Sequence, residues 1–169
     1  YTEPFLSATA IYPNQDLKCH AARVRAVQWA REHDQELVWV MARDKASHGA
    51  QQQRPYTKED KTRWLGYHDK ACESLPGWLP LAKGMPVVLA DHLDRSEKQL
   101  LRGREATVHG WVEHEDEPQH QVKNGECCLQ YLPKAVILDF NASWALDGAK
   151  GPCMGGPGLY PVKPVTHTW

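Results

Sequence analysis

The chain has 169 residues, 41% of them hydrophobic and 24% charged. That is enough for one compact core or two small lobes, and too little for a large multidomain enzyme. Lys and Arg total 20 against 21 Asp and Glu, so no global charge advertises a nucleic acid or a membrane surface. No apolar run nears the roughly 18 to 20 residues that span a bilayer, so no membrane partner is expected. Collagen-like and wholly disordered chains are excluded as well.

In chain order, the short β-branched run Ser7 to Tyr12 suits a buried strand. Pro13-Asn14 breaks it, and Asn14 is placed to cap the next element. Leu17, Ala21, Val24 and Val27 fall at helical spacing, which predicts a helix over 15–31 with those residues on its apolar face. Leu37 to Ala42 is a continuous apolar run that predicts a second buried strand. Strand, helix, strand at this separation predicts a βαβ unit with a parallel sheet. Residues 46–57 are polar and Gln-rich, a loop, and a second helix is expected from Lys58 to about Cys72. Pro76-Gly77 and Leu79-Pro80 then mark a lobe boundary, dividing the chain into 1–77 and 78–169.

Beyond the boundary the pattern turns to β. Strands are expected at 86–90 and at 106–112, where Ala106, Val108 and Val112 alternate inward. Two more are expected at 129–131 and 135–140, with irregular chain over 141–159. Short strands with frequent turns predict a small barrel rather than a sandwich. The expected fold class is therefore α/β plus β. The opening Tyr1 and the closing run from Val162 to Trp169, which reads as a strand still running, suggest a fragment of a longer protein.

Several chemical motifs fail on their own terms. Gly151 to Gly158 is Gly-rich, but Pro152 and Pro157 remove backbone donors and no Lys-Ser or Lys-Thr follows, so it is not a phosphate loop. Nine His and five Cys invite a metal test, yet His109, His114, His120, Cys127 and Cys128 contain no finger-type spacing, so no metal site is assigned. The odd, scattered cysteines fit reduced thiols in an intracellular compartment. Neither G-x-S-x-G nor H-E-x-x-H occurs, so no catalytic residue is assigned. Among seven Trp, Trp29, Trp39 and Trp64 sit on core-like patterns, whereas Trp111 and Trp144 suit either a core or a base-stacking role.

One segment is more specific. Leu79 to Asp94, with Lys83-Gly84-Met85-Pro86 and Asp91 inside it, followed by Leu100-Leu101-Arg102-Gly103-Arg104-Glu105-Ala106-Thr107-Val108, resembles Pif-type (petite integration frequency) superfamily 1 DNA helicases. Thr9 to Asn14 and the following helix are similar to helicase motif IV. Leu132 to Phe140 and Gly158 to Val162 resemble barrel strands of long, divergent members. The resemblance implies a partial RecA-like motor lobe leading into a small SH3-like barrel. It departs from the family at Arg102, where Asn is common, and in a longer polar insertion over 46–76.

That resemblance implies a parent enzyme driven by ATP and Mg²⁺ that steps 5′ to 3′ along DNA, in the nucleus or mitochondria. This chain has neither a G-x-x-x-x-G-K-[ST] loop nor an Asp-Glu metal box, so by itself it is expected to bind no ATP and hydrolyse none. Its share would be DNA grip and lobe coupling, through Asn14 and Lys18 near a helix N-terminus and through Arg102 and Arg104 on the hairpin. An ordinary exposed charge is the alternative at each position. A stand-alone module binding single-stranded nucleic acid or a peptide stays open, as does an interaction protein that kept the fold and lost the activity. Oligomeric state is not legible.

Overall fold

The computed structural model describes residues 15–44, 57–66, 76–119, 122–145 and 156–166. The expected strand at 7–12 and the capping Asn14 lie outside these residues, and the second helix, expected to run to about Cys72, ends at Leu65 with Gly66 as its cap. Helix α1 (Gln15–Glu32) forms over a stretch rich in Ala and Arg and free of Gly and Pro. It ends in a Schellman turn: Asp34 takes a left-handed φ of 51°, and the Gln35 and Asp34 amides donate to the Ala30 and Arg31 carbonyls.

The buried face of α1 is not the expected one. Ala26 and Ala30 are buried, with Val27 and Trp29 packed against the core, whereas Leu17 and Val24 are each 49% exposed. Two small alanines let the helix sit close on strands β1 (Leu37–Met41) and β2 (Trp78–Leu81). Leu17 and Val24 are thereby turned outward.

β1 is the centre of a three-stranded sheet of order β2-β1-β5, where β5 is Glu126–Cys128. β2 pairs with it antiparallel, Val38 opposite Leu81, and β5 pairs parallel, Val38 opposite Cys127. The parallel neighbour of β1 is thus supplied from the second half of the chain, and both edges of β1 are taken. The strand expected at 129–131 instead occupies 126–128. Leu129 N–H still donates to the Trp39 carbonyl, but the Gln130 and Tyr131 amides turn to the Glu117 carboxylate, which draws the chain off the sheet.

The second helix, α2 (Lys58–Leu65), begins at a capping box between Thr57 and Asp60. The second sheet is antiparallel, in the order β3 (Pro86–Val88), β4 (Glu105–Val112), β6 (Ala135–Asp139), β7 (Leu159–Val162). A bulge at His109 offsets β4 against β6, so Val108 faces Leu138 while Gly110 faces Ile137. The extra residue reverses the side-chain phase. Trp111 therefore packs against the core and Val112 is exposed, contrary to the alternation expected at 112.

The sheet does not close, so the expected barrel is corrected to two small sheets with helices, an α+β arrangement. β3 and β7 each pair with one neighbour, are three and four residues long, and contain Pro86 and Pro161, which offer no N–H. The terminal strand likewise stops at Val162: that residue pairs with Val136 near the start of β6, and Pro164 follows. One buried cluster nevertheless runs through α1, both sheets and the β3–β4 connection, from Ala30, Val38 and Leu81 to Leu100, Val108 and Leu138. Residues on both sides of position 77 share the β2-β1-β5 sheet and this cluster.

Candidate nucleic-acid interface

The segment with the family-like pattern forms a turn, a strand, a long excursion and a return strand. Gly84 turns the chain into β3 at φ +83°, its N–H donating to the Val108 carbonyl at 2.7 Å. A Cβ there would lie 3.3 Å from the Trp29 ring, which covers the turn. Glycine answers both constraints.

Residues 89–104 then leave the sheet and return. The Leu89 N–H donates to the Arg104 carbonyl and the Gly103 N–H to the Leu89 carbonyl, both at 2.9 Å, closing the base of the excursion. Gly103 takes φ +87° with open space around it. Farther out, Asp94 and Leu100 form a bridge, and Leu100 is fully buried, pinning the loop to the core. The Ser96 hydroxyl, then its backbone N–H, and Lys98 to a lesser degree hold the Asp94 carboxyl below its ordinary 3.8. His92 Nδ1 accepts the Arg102 N–H at 3.2 Å.

The three sequence candidates among the described residues are not brought to one place. Asn14 lies outside the described residues. Lys18 is exposed on α1, a different element from the hairpin. Arg102 stands exposed beside Gly103 at the base of the excursion. Arg104 faces inward: its guanidinium lies 5.7 Å over the Phe140 ring and donates to the Lys98 and Gln99 carbonyls at 3.5 and 3.4 Å. Those long bonds and the ring contact clamp the loop, leaving Arg102 and Arg95 as the exposed cations of the excursion. Asp91, Glu97 and Glu105 are also exposed there, so the local potential is nearly neutral. Trp29, Trp39, Trp64, Trp111 and Trp144 are all half-buried rather than presented as stacking platforms.

One cluster was not legible in the sequence. Tyr131, 41% exposed, stacks on His114 at 4.9 Å and 19°, and the Arg43 guanidinium lies 5.7 Å from the same ring. Its members are about 15 to 90 positions apart, and the parallel β1–β5 pairing carries the end of β1 toward the loops. Lys134 pairs with Glu115 and, chiefly by hydrogen bonding, holds that carboxyl below its ordinary 4.5. Glu113, Asp116 and Glu117 crowd the same loop, a setting that disfavours a phosphate.

Among the described residues, no group of three or more His, Cys, Asp or Glu side chains could hold a metal ion. Cys19, Cys127 and Cys128 are free thiols. No helix among them is long and apolar enough to cross a membrane. Comparison with protein-family models, with curated proteins and with solved structures finds no match.

Proposed function

We propose that this chain is part of a Pif-type, ATP-dependent DNA helicase, contributing strand grip and lobe coupling rather than ATP hydrolysis. On this reading the α1 side belongs to a RecA-like lobe and the four-stranded sheet to an SH3-like module. The nucleotide, Mg²⁺ and the 5′ to 3′ stepping belong to other parts of a longer, nuclear or mitochondrial enzyme. What supports the reading is the coincidence of pattern and conformation over 79–108. The two glycines that the resemblance picks out, Gly84 and Gly103, both take left-handed φ, at the turn into β3 and at the base of the excursion beside exposed Arg102. Phosphate neutralisation by an exposed Arg needs no net positive chain, only a cation at the contact.

The test is single-stranded oligodeoxynucleotide affinity against salt for the chain and its Arg102→Ala variant. One lost phosphate contact lowers affinity about threefold and reduces the slope of log affinity on log salt by about 0.7. An unchanged slope overturns the assignment of Arg102. Arg104→Ala is the control for structure, and it costs about 1 kcal/mol of stability through the lost loop clamp.

A further inference from the structure

We propose that the Asn124-Gly125 turn is a site of self-modification, where Asn124 loses ammonia through a cyclic imide and the isoaspartate formed frees β5 from β1. The sequence holds three asparagines, and only Asn124 precedes a glycine. Both turn residues are exposed and left-handed, Asn124 at φ 54° and Gly125 at φ 78°. The Lys123 N–H donates to the Glu126 carbonyl at 2.9 Å and the Glu126 N–H to the Lys123 carbonyl at 3.0 Å, which makes a two-residue hairpin. A Cβ on Gly125 would meet nothing within 4 Å, and among the described residues the Gly125 amide donates to no partner. The attacking nitrogen is neither bonded nor shielded.

The chemistry needs only solvent. Base removes the Gly125 amide proton, the nitrogen bonds to Asn124 Cγ, and the Cγ–Nδ2 bond breaks as ammonia leaves. Water then opens the five-membered imide at either carbonyl. Cleavage at Cγ restores an ordinary backbone with an aspartate side chain. Cleavage at the Asn124 backbone carbonyl leaves the main chain running through Cβ and Cγ, one atom longer. Closing the ring turns the 124–125 peptide, which the two Lys123–Glu126 bonds resist. The reaction therefore runs from the opened hairpin, at a rate set by the open fraction. The lengthened product no longer fits a two-residue connection between Lys123 and Glu126. What hangs on that connection is the parallel edge of the first sheet. The Gly125 carbonyl accepts the Leu37 N–H at 2.9 Å, Glu126 Oε2 accepts the Trp39 Nε1–H at 2.9 Å, and the Cys127 thiol donates to Glu36 at 3.0 Å. β5 is three residues long and, among the described strands, pairs with β1 alone. A register error at its first residue is felt along its whole length.

The whole chain and its Asn124→Gly variant are held at pH 8 and 37 °C with a thiol reductant and sampled over weeks. Asn124→Gly accepts the left-handed φ and removes the reacting amide. Peptide mapping follows the mass gain of amide to acid, chromatography separates aspartate from isoaspartate, and iodoacetamide reports whether Cys127 is still covered. Asp147-Gly148 can close the same ring but releases no ammonia, so it adds no mass. The gain is expected at Asn124 about tenfold faster than at Asn141, whose successor Ala142 carries a Cβ. Cys127 labelling should rise in step with the isoaspartate fraction, and aged Asn124→Gly should show neither change. Fresh Asn124→Asp should keep Cys127 covered, since a new charge without the extra backbone atom leaves the hairpin intact. The proposal is overturned if Asn124 reacts no faster than Asn141, or if the isoaspartate form protects Cys127 as well as fresh protein does. It is equally overturned if aged Asn124→Gly or fresh Asn124→Asp exposes Cys127. None of these readouts depends on nucleic-acid binding, so the helicase reading stands or falls separately.

Discussion

Cys127 shows how position alone sets the chemistry of a side chain. It is buried on β5, and its thiol donates to the Glu36 carboxylate at 3.0 Å. Burial first, and then Glu36, push its pKa from the ordinary 9.0 up to about 12. Neighbouring Cys128 is more exposed, and its pKa is raised as well, by burial and by Glu117. Because the thiolate is the nucleophile, Cys127 should resist iodoacetamide at pH 8 in the folded protein and react only on unfolding, with Cys128 labelling first. A pKa raised on folding means the folded state holds the proton more tightly. The stability this contributes is fully present below about pH 9 and is lost as pH rises through about 12. Cys127→Val removes the titrating group, so its loss of stability between pH 9 and 12 should be shallower, read by urea unfolding at several pH values. Nothing in the sequence marked Cys127 off from Cys128, since the difference comes from which face of a three-residue strand each occupies.

Among the elements, those set by local rules were legible and those set by partners were not. The extent of α1 followed from the helical spacing of its apolar residues, but its buried face did not, because two alanines allowed a closer approach than Leu17 and Val24. The phase of β4 after His109 depended on a bulge against β6, which a single strand's pattern does not encode. Strand β5 was misplaced by three residues because Glu117, from another loop, takes the Gln130 and Tyr131 amides. For the interface the split is similar: the sequence found exposed Arg102, yet the inward use of Arg104 depends on Phe140 of a distant strand. α2 is the most local case. The Asp60 N–H donates to Thr57 Oγ1 at 3.2 Å, while Asp60 Oδ2 accepts from the Thr57 N–H at 3.1 Å and Oδ1 from Arg63 at 2.9 Å. Asp60 is buried, so these bonds offset the cost of removing a carboxylate from water. Thr57→Ala should cost about 1 kcal/mol and act locally. Amide exchange should quicken across 58–65 and stay unchanged in β4 and β6; equal loss everywhere would mean that α2 supports the global core.

At the scale of the molecule, the two sheets are joined less by strand pairing than by shared burial. Val38 and Leu81 of one sheet, Val108 and Leu138 of the other, and Leu100 from the excursion belong to one cluster that α1 also covers with Ala30. Composition along the chain shifts near position 77, which is why the sequence reads as two lobes, but non-local pairing of β1 with β2 and β5 runs across that position. A shared cluster should make the sheets unfold together. The edge contact of Trp39 with Trp78, at 6.3 Å, reports on the first sheet through near-ultraviolet dichroism. Amide protection at Val108 and Leu138 reports on the second. Their urea midpoints should coincide, and Leu100→Ala, which empties a fully buried site, should lower both by the same amount, for a cost of about 2–5 kcal/mol. Two separated transitions, with Leu100→Ala moving only the second, would instead make the two sheets independent units. The cluster would then be a contact between domains, of the kind that allows one to move against the other.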